Sequence, residues 1–360
     1  MKKVLVTGAS GFIGSFIVSE GLERGYDVWA GVRETSSRAY LTDSRINFAQ
    51  LSLNNKQKLV DQLYSFKSMM GGCGWDYVVH AAGATKCRDM EEFYRTNTHG
   101  TANLVEALQE TGMVPECFVF ISSLSVYGAI REKQVRAVPR GYARGACISE
   151  DESVYDPIML TDDPAPNTAY GMSKLSAEYY LEKQDPDDFP YVILRPTGVY
   201  GPREKDYFVM AKSIAGHTDF AVGFRPQELT FVYVDDVVQA VYKSMTSAAA
   251  CGNCYFLSDG RIYNSRRFSD LIRQELGNPW LLRLRIPKWV LRVICKIGGK
   301  IGRMTGRLIV LNDDKYNILA QRNWRCDIEP ARQDFDYAPE WPLERGVKAA
   351  MDWYKREGWL

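Results

Sequence analysis

The chain has 360 residues, of which 46% are hydrophobic and 25% charged, a composition typical of a globular protein with one large domain or a domain and a smaller lobe. Its formal net charge of +1 argues against a protein that binds nucleic acid through its whole surface. The N-terminus runs from Met1 and two lysines into a strand-like segment rather than a long apolar stretch. No secretory signal is therefore predicted, and the cytoplasm is the expected compartment.

Eight cysteines are scattered through apolar or loop segments, which in an intracellular chain is typical of free thiols. Cys251 and Cys254 form a lone C-x-x-C pair with no second pair and no histidine nearby. His80, His99 and His217 are far apart in the sequence. No metal site is therefore predicted.

The first element in chain order is the stretch 4–14, where an apolar run ends in a turn with glycines at positions 8, 11 and 14. Glycines at this spacing let the backbone turn tightly, approach a pyrophosphate and pack a helix on the strand. Free N–H groups and the dipole at the start of that helix attract phosphate. The pattern favours a bound dinucleotide, although an ordinary strand-to-helix turn has the same composition. The helix is predicted at about 12–24, ending near Gly25.

Short apolar runs alternate with amphipathic helical stretches along the rest of the chain. This alternation is typical of a parallel sheet with crossover helices, so the predicted fold class is α/β. The predicted strands are 4–6, 28–32, 77–80, 118–121, 192–194 and 255–257.

The end of the second predicted strand bears on the choice of cofactor. NAD sites usually place an acidic side chain there to bind the ribose hydroxyls, whereas a 2′-phosphate favours arginine. Val32 occupies the position of the acid and is followed by Arg33, with Ser36 and Arg38 close behind. This indicates NADP. Two alternatives are a solvated Arg33 with no ligand and an NAD site that uses the neighbouring Glu34.

Seven short motifs occur in a characteristic order and spacing. They are Thr7-Gly8-x-x-Gly11-x-x-Gly14, Asp76-Tyr77-Val78-Val79-His80-Ala81-Ala82-Gly83, Asn97-x-x-Gly100-Thr101, Ser122-Ser123-x-x-x-Tyr127-Gly128, Tyr170-Gly171-Met172-Ser173-Lys174, Arg195-Pro196-x-x-x-Tyr200-Gly201-Pro202 and Val234-Asp235-Asp236-Val237. Over most of its length the chain resembles an extended short-chain dehydrogenase/reductase of the NAD-dependent epimerase/dehydratase superfamily. That group includes nucleotide-sugar epimerases and dehydratases, dihydroflavonol reductases and 3β-hydroxysteroid dehydrogenases.

The resemblance implies a Rossmann-type doubly wound parallel sheet with a smaller, mostly helical C-terminal substrate lobe. Residues 1–198 and 231–260 are expected to form the dinucleotide-binding domain, and 199–230 and 261–360 the lobe. An insertion at about 129–165 has a basic first half, with Arg131, Lys133, Arg136, Arg140 and Arg144. Because active-site residues flank it, the insertion is expected beside the substrate mouth, either as a lid that attracts an anion or as a mobile surface loop.

Four residues are candidates for catalysis. Tyr170 and Lys174 are four positions apart, so on a helix they share one face and can meet one ligand. A nearby ammonium and a positive nicotinamide ring would lower the pKa of the Tyr170 phenol, which makes this residue the expected acid and base. The resemblance implies that Lys174 holds the nicotinamide ribose, that Ser123 bonds the reacting oxygen, and that Asn97 supports the active-site helix. The alternative to a catalytic role is a structural one, in which Tyr170 is an aromatic residue of the core and Ser123 is one of several serines in a turn.

The cofactor contacts implied by the resemblance lie at the glycine turn, the strand ends and the active-site helix. They are Thr7, Gly8, Ser10, Gly11, Phe12, Ile13, Gly14, Arg33, Ser52, Ala81, Ala82, Gly83, Ile121, Tyr170, Lys174 and Pro196. Ser52 stands where family members usually place an acid against the adenine, so its contact would be weaker or replaced by water. NADP is the expected cofactor and NAD the alternative.

Two departures from the family bear on the reaction. Dehydratases follow the active-site hydroxyl with Asp-Glu, whereas this chain has Leu124 and Ser125, so dehydration is not expected. Many sugar-nucleotide enzymes carry a diphosphate-binding arginine just before the strand at 231–233, where this chain has Leu-Thr. Arg203, Arg225 or an arginine of the insertion would have to replace it.

The leading interpretation is an NAD(P)-dependent oxidoreductase that interconverts a ketone and a secondary alcohol on a lipid-like or steroid-like substrate, in the 3β-hydroxysteroid dehydrogenase or dihydroflavonol reductase-like branch. The alternatives are a nucleotide-sugar epimerase or reductase and a non-catalytic dinucleotide-sensing protein. The expected partner is a small molecule and not a nucleic acid. A homodimer is expected because family members are often dimers.

Residues 280–311 combine cations with apolar side chains, and no acidic residue occurs from Leu276 through Asn312. The cations of the central stretch recur every three or four positions, at Lys288, Arg292, Lys296, Lys300, Arg303 and Arg307. A basic amphipathic helix is typical of a peripheral membrane contact, here at the inner membrane face. Because a charge recurs about once per turn, the segment is not expected to span the membrane. The other interpretation is a lobe helix with a solvated basic face.

Overall fold

The structure is a computed structural model that describes residues 1–133, 142, 147–305, 309 and 311–360, without the side chain of Arg303. The residues outside this description are 134–141, 143–146, 306–308 and 310. They include four arginines named above, Arg136, Arg140, Arg144 and Arg307.

Six of the fourteen strands in the described residues follow the predicted apolar runs. The fourteen strands are β1 (Lys3–Thr7), β2 (Asp27–Val32), β3 (Asn47–Gln50), β4 (Tyr77–His80), β5 (Cys117–Ile121), β6 (Tyr191–Pro196), β7 (Gly198–Tyr200), β8 (Thr218–Val222), β9 (Glu228–Leu229), β10 (Phe231–Tyr233), β11 (Cys254–Leu257), β12 (Tyr263–Asn264), β13 (Leu282–Ile286) and β14 (Asn323–Trp324).

Helices connect and cover these strands. They are α1 (Phe12–Glu23), α2 (Lys56–Met69), α3 (Met90–Phe93), α4 (Gly100–Glu110), α5 (Ala169–Leu181), α6 (Asp206–Ala215), α7 (Val234–Ser244), α8 (Arg267–Glu275), α9 (Lys288–Thr305), α10 (Asp313–Ala320), α11 (Glu329–Phe335) and α12 (Leu343–Arg356). A π-helical turn, Tyr94–His99, joins α3 to α4, and a 3-10 turn, Leu124–Val126, follows β5. Helix α1 starts and ends within one residue of its prediction, and Gly25 beyond it has φ +78°.

Seven strands form one parallel sheet in the order β11-β6-β5-β4-β1-β2-β3. The order reverses between β1 and β4, which is the switch point where α/β folds bind ligands beyond the carboxyl ends of the strands. All six predicted strands belong to this sheet, so the predicted doubly wound α/β fold is confirmed. Strand β3 was not predicted, because its four residues, NFAQ, have no apolar run.

Both faces of the sheet are buried, as the β-branched runs require. One face packs against α1 and α7, and its core includes Val6, Val28 and Val241. The other packs against α2, α4 and α5, and its core includes Leu63 and Leu104. Since both faces are covered by helices, the carboxyl edge of the sheet is left to form a site.

The remaining strands and helices form smaller assemblies beyond that edge. β8 pairs with β13, β7 with β10, and β9 lies between β12 and β14. Their core joins α6, α8 and α12, with Tyr200, Phe268 and Tyr354 at its centre. The assignment of these elements to a separate substrate lobe stays a prediction.

The described end of the insertion packs against the strands of the lobe. Glu228, which is fully buried, accepts hydrogen bonds from the Ser153 hydroxyl (2.7 Å) and the Val154 N–H (2.7 Å). Ile158 pairs with Cys326 through an isolated bridge. The described residues 147–165 are therefore attached to these strands, and the choice between a lid and a mobile loop for the insertion stays a prediction. Arg131 is likewise neutralised by Asp162 at 2.6 Å.

None of the helices within the described ranges is long and apolar enough to cross a membrane. All eight cysteines are free thiols. In the described part of the chain, no cluster of three or more histidine, cysteine or acidic side chains is arranged to hold a metal ion.

A buried ion pair anchors α5 to the sheet. Arg195, on β6, reaches Glu178 on α5 through Nε at 3.1 Å and Nη2 at 2.8 Å, and donates through Nη1 to the Tyr127 hydroxyl at 3.0 Å. The two charged side chains are 4% and 0% exposed. Breaking such a pair leaves an uncompensated buried charge.

Replacing Glu178 with Gln is expected to lower the free energy of unfolding by about 3 kcal/mol, because Arg195 stays charged and buried. The matched control is Asp352→Asn, which breaks the exposed pair with Lys348 and should cost less than about 1 kcal/mol. Urea denaturation of the two variants measures both changes. Equal loss of stability in the two variants would contradict this account of α5.

Candidate active site

The glycine turn packs too closely for side chains at two of its positions. Gly8 has φ +68°, and a Cβ there would lie 2.6 Å from the backbone nitrogen of Ala82. A Cβ at Gly14 would lie 2.2 Å from the carbonyl oxygen of Gly8. The first glycine therefore sets the turn against the end of β4, and the last lets α1 start directly above it.

The start of α1 is open to an anion. Gly11 is the N-cap, no side chain caps the helix, and its first turn contains no acidic residue. The first N–H groups of an uncapped helix carry a partial positive charge and lack intrahelical partners. The cradle left by the glycines and this helix start fit the pyrophosphate of a dinucleotide.

Two cavities flank the turn, with volumes of about 660 and 730 Å³. The first extends along the carboxyl ends of β5 and β6 and contains the predicted residues Ser10, Gly11, Phe12, Ile13, Ala81, Gly83, Ile121, Ser123, Tyr170, Lys174 and Pro196. The second extends beyond β2 and β3 and contains Thr7, Gly8, Arg33, Ser52, Ala82 and, again, Gly83. Gly14 alone of the predicted cofactor contacts lines neither cavity, because it lies beneath Gly8.

Arg203 lines the first cavity, although its position in the sequence also suggests a contact with the substrate diphosphate. Its Nη1 donates to the Ser15 hydroxyl on α1 at 2.8 Å. Its guanidinium lies over the rings of Phe16 and Tyr40 at 4.4 and 4.5 Å. A half-buried cation at the start of α1 suits a pyrophosphate. The feature of the sequence that could have identified Arg203 as a cofactor contact is its position directly after the Arg195-to-Pro202 motif.

Ser123, Tyr170 and Lys174 come together at the carboxyl edge of the sheet, as predicted. Ser123 and Tyr170 line the same cavities, and the nearby Ser123 hydroxyl acts to lower the pKa of the Tyr170 phenol. Lys174, one turn further along α5, donates through Nζ to the carbonyl of Ile121 at 2.8 Å and lies over the ring of Phe120 at 4.5 Å. These contacts fix the ammonium between β5 and α5. The predicted tyrosine and lysine therefore share one helix face and one cavity.

The pKa of Tyr170 is determined mainly by burial. Burial raises it to about 12, while the nearby Ser123 hydroxyl opposes this change. Burial also lowers the pKa of Lys174 to about 8. Desolvation of the phenolate dominates in the protein without a cofactor. At neutral pH Tyr170 therefore carries its proton and can donate it. The expectation that Lys174 and a bound nicotinamide lower the pKa of Tyr170 stays a prediction.

Asn97 lies outside both cavities and holds the active-site helix from behind. It is 1% exposed, and it sits in the π-helical turn. Its Nδ2 donates to the Ser173 hydroxyl at 2.9 Å and its Oδ1 accepts from the Ala84 N–H at 2.7 Å. Asn97 is thus a positioning residue in this structure, in line with the expected support of α5.

A chain of buried hydrogen bonds extends from Asn97 to the glycine turn. The Thr101 hydroxyl donates to the Asn97 carbonyl at 2.6 Å, so it accepts from His80 Nε2 at 3.0 Å. His80 Nδ1 then accepts from the Thr7 hydroxyl at 2.7 Å, and Thr7 accepts from the Ala82 N–H at 3.3 Å. This arrangement requires a neutral imidazole, and burial lowers the pKa of His80 to about 3.

A third cavity of about 340 Å³ opens from Ser123 and Tyr170 toward the lobe. Its walls are mainly apolar and aromatic and include Leu124, Met210, Phe220, Leu229, Phe268 and Ile318. Its polar groups include Gln227 and Thr230, which are hydrogen-bonded to the carbonyls of Gln321 and Trp324. None of the residues that line it in the described structure is charged.

A cluster of cations lies behind the far wall of this cavity. Arg322 is 4% exposed and donates through Nη1 to the carbonyl of Val222 at 2.8 Å. Its Nε and Nη2 have no hydrogen-bond partner among the described residues. Burial lowers its pKa, and the nearby charges of Arg225 and Arg285 act in the same direction. Arg225 therefore lies near Arg322 and not in the first cavity, which Arg203 lines.

A model of the NAD dependent epimerase/dehydratase family matches residues 4–264. The chain belongs to this family. It is accordingly an NAD-dependent enzyme of the extended short-chain dehydrogenase/reductase superfamily, which confirms the resemblance drawn from the motifs. Its relatives differ in the reactions their names describe, so the family establishes the dinucleotide chemistry and not the substrate.

Relatives of this epimerase/dehydratase family member extend over nearly the whole chain. UDP-glucose 4-epimerase of Vibrio cholerae is 26% identical over 96% of this chain and 94% of that protein. The 2-alkyl-3-oxoalkanoate reductase of Stenotrophomonas maltophilia is 25% identical over 96% of this chain and 97% of that protein. The solved structure of the Bordetella bronchiseptica enzyme WbmH in complex with NAD+ has a TM-score of 0.72 at 22% identity and 99% coverage of both chains, which shows the fold.

The neutral His80 predicts a pH dependence of stability. Its pKa falls from about 6.5 to about 3 on folding, so the unfolded chain binds more protons between these values and stability is lost as the pH falls. Between pH 7 and pH 5 this residue should cost about 2 kcal/mol. Urea denaturation of His80→Gln should show a correspondingly smaller loss than the native protein.

The control for this prediction is His99→Gln, which replaces an exposed imidazole and should keep the native dependence on pH. An unchanged pH dependence in His80→Gln would show that protonation of His80 does not limit the acid stability of the fold.

Proposed function

We propose that the protein reduces a ketone to a secondary alcohol on a hydrophobic, lipid-like or steroid-like substrate. The observation that carries this proposal is the uncharged, largely apolar cavity next to Ser123 and Tyr170. An apolar group gains free energy by leaving water for such a cavity, whereas a diphosphate would lose its hydration without a paired charge. The name of the Stenotrophomonas maltophilia relative, a 2-alkyl-3-oxoalkanoate reductase, points to the same substrate class.

The proposed roles follow from the position of each group. A bound nicotinamide cofactor would supply the hydride for the carbonyl carbon. Tyr170, whose pKa burial raises to about 12, gives its proton to the carbonyl oxygen, and Ser123 hydrogen-bonds that oxygen. Lys174 keeps a positive charge near the phenolate that forms. In the reverse oxidation, Tyr170 would first lose its proton and would then act as the base that accepts the proton of the alcohol.

We also propose that NADP is the preferred cofactor. Arg33 and Lys58 both line the cavity beyond β2, and Lys86 and the carboxylates of Glu34 and Glu92 line it as well. Two cations suit a 2′-phosphate better than ribose hydroxyls. Ser52 and Gln50 supply neutral polar groups to the same cavity.

Replacing Arg33 with Ala is expected to weaken NADPH binding by about tenfold or more, because a charge-assisted hydrogen bond is lost. NADH binding should change by less than about twofold. The control is Arg38→Ala, since Arg38 stacks on Phe48 at 4.1 Å and lines neither cavity. Titration of intrinsic fluorescence with both nucleotides measures the ratio, and a ratio that Arg33→Ala leaves unchanged would refute the NADP preference.

A nucleotide-sugar epimerase or reductase is the second candidate, favoured by the cations behind the cavity. Arg322 has two unpartnered guanidinium nitrogens, and Arg225, Arg285 and Lys288 lie close to it. A diphosphate could use these charges only if the wall formed by Val222 and Gln227 moved. The neutral lining of the cavity therefore supports the apolar ketone first.

A substrate panel with NADPH separates the candidates. We expect oxidation of NADPH with long-chain 3-oxo compounds or 3-ketosteroids, and no epimerisation of UDP-sugars or dTDP-sugars. Tyr170→Phe should lower kcat by about 100-fold or more, since the proton donor is lost, with little change in NADPH affinity. The control Tyr179→Phe changes an exposed tyrosine on the same helix and should keep the native rate.

Three outcomes would overturn the proposal. Epimerisation of a nucleotide sugar without net consumption of NADPH identifies the second candidate. Near-native turnover in Tyr170→Phe removes the assigned proton donor. Tight dinucleotide binding with no turnover on either substrate class identifies the non-catalytic alternative considered from the sequence.

A further inference from the structure

Helix α9 exposes the apolar face that a helix of a globular protein normally buries. Trp289, Val293, Ile297, Ile301 and Met304 are spaced four or three residues apart and therefore lie along one side of the helix. They are 71%, 50%, 55%, 47% and 77% exposed, respectively. This apolar stripe is not used to hold the helix on the protein.

A different and narrower side of α9 makes the tertiary contacts. Leu291 and Cys295, at 4% and 0% exposure, are the buried residues of the described helix. Gly298 lies on the same side, and a Cβ there would be 2.1 Å from the carbonyl oxygen of Leu311. Helix α10, whose Ile318 lines the substrate cavity, packs against α9. Packing therefore buries the side of α9 that carries Leu291, Cys295 and Gly298, and it leaves the apolar stripe exposed to solvent.

Cations occupy the side of α9 between the buried face and the apolar stripe. Arg292, Lys296 and Lys300 are spaced four residues apart and are exposed. The sequence from Leu276 through Asn312 contains no acidic residue that could neutralise them. An exposed apolar stripe flanked by cations without carboxylate partners is complementary to the surface of an anionic membrane, where hydrocarbon lies beneath negatively charged headgroups.

The ribbon that precedes α9 continues this surface toward the substrate cavity. In the register of β8 and β13, Leu284 lies opposite Phe220, and Leu282 lies on the same face of β13. These three side chains are 40%, 51% and 50% exposed. Phe220 also lines the cavity that starts at Ser123 and Tyr170. One side of the cavity mouth is therefore formed by an exposed apolar residue of this ribbon.

We infer that the apolar stripe of α9 and the β8–β13 ribbon bind the surface of an anionic lipid bilayer, and that the substrate enters its cavity from the lipid phase beside Phe220. The second half of this inference rests on the proposed reduction of a hydrophobic ketone. In this arrangement α9 lies in the plane of the interface, with the stripe toward the acyl chains and Arg292, Lys296 and Lys300 at the headgroups.

A lipid surface fits these charges better than a second copy of the chain. In a symmetric dimer built on the same face, the cations of both α9 helices would be brought together with no carboxylate in either segment. Anionic headgroups supply the missing negative charge. The unpartnered surface therefore favours a bilayer over self-association.

Flotation of the full-length protein on vesicles tests the inference. The native protein should float with vesicles that contain phosphatidylglycerol, bind pure phosphatidylcholine vesicles at least about tenfold more weakly, and lose binding at high salt. The triple variant Arg292→Gln, Lys296→Gln and Lys300→Gln should lower the affinity for anionic vesicles by about 100-fold. The triple variant Trp289→Ser, Val293→Ser and Ile297→Ser should abolish flotation on both kinds of vesicle.

The matched control is Lys183→Gln, Lys348→Gln and Lys355→Gln, which removes three exposed charges outside α9 and should float like the native protein. Circular dichroism and the unfolding midpoint establish that each variant is folded. Flotation equal to the control in both α9 variants would overturn the inference. The inference would also be overturned if the native protein did not bind vesicles but formed a dimer in sedimentation experiments, and if the serine variant were a monomer.

The two parts of the inference have separate readouts. With a short-chain ketone dissolved in water, both α9 variants should reduce substrate at the native rate. With a long-chain ketone embedded in anionic vesicles, their rates should fall about tenfold or more, in step with the loss of binding. Equal rates on the embedded ketone would refute entry from the lipid. Absence of turnover on every ketone would instead refute the proposed function and leave the flotation result standing.

Discussion

The geometry of the active site depends on one buried chain of hydrogen bonds. It starts at the Ala82 N–H beneath the glycine turn, passes through Thr7, His80 and Thr101, and reaches Asn97. Asn97 then binds the Ser173 hydroxyl, which donates to the carbonyl of Tyr170. Thr7, His80, Thr101, Asn97 and Ser173 are all buried, so a member that lost its partner would be left with an unsatisfied polar group. The cradle at the start of α1 and the proton donor on α5 are thereby held in one frame.

Most of the sheet and the reactive residues could be predicted from the sequence because their signals are local. A buried parallel strand needs an uninterrupted apolar run, and Tyr170 and Lys174 share a helix face because of their spacing alone. Strand β3 and the two-residue strands β9, β12 and β14 have no such run and form only where a partner strand is already present. The pKa of Tyr170 could not be predicted either, since it depends on how completely the fold removes water from the phenol.

Long-range pairing and the choice of a buried face also lie beyond local sequence. Nothing near Glu228 in the sequence indicates that Ser153 and Val154 will bind its carboxylate and hold the end of the insertion. In α9 the periodicity predicts an amphipathic helix correctly, yet the side that packs is the one with Leu291, Cys295 and glycines. Close backbone approach, rather than hydrophobicity, selected that side. The sequence pattern therefore predicts that α9 is amphipathic, but it does not predict which side of α9 packs against the protein.

The place of β11 in the sheet has a consequence for how the protein is made. Six of the seven parallel strands lie before residue 197, whereas β11, which covers β6, begins only at Cys254. Until the ribosome has added that segment, β6 is an open edge with unpaired backbone groups. The nascent chain can thus assemble the dinucleotide half early, but it must keep an adhesive strand uncovered while nearly sixty further residues are translated. Premature release at this stage would expose a ready template for aggregation.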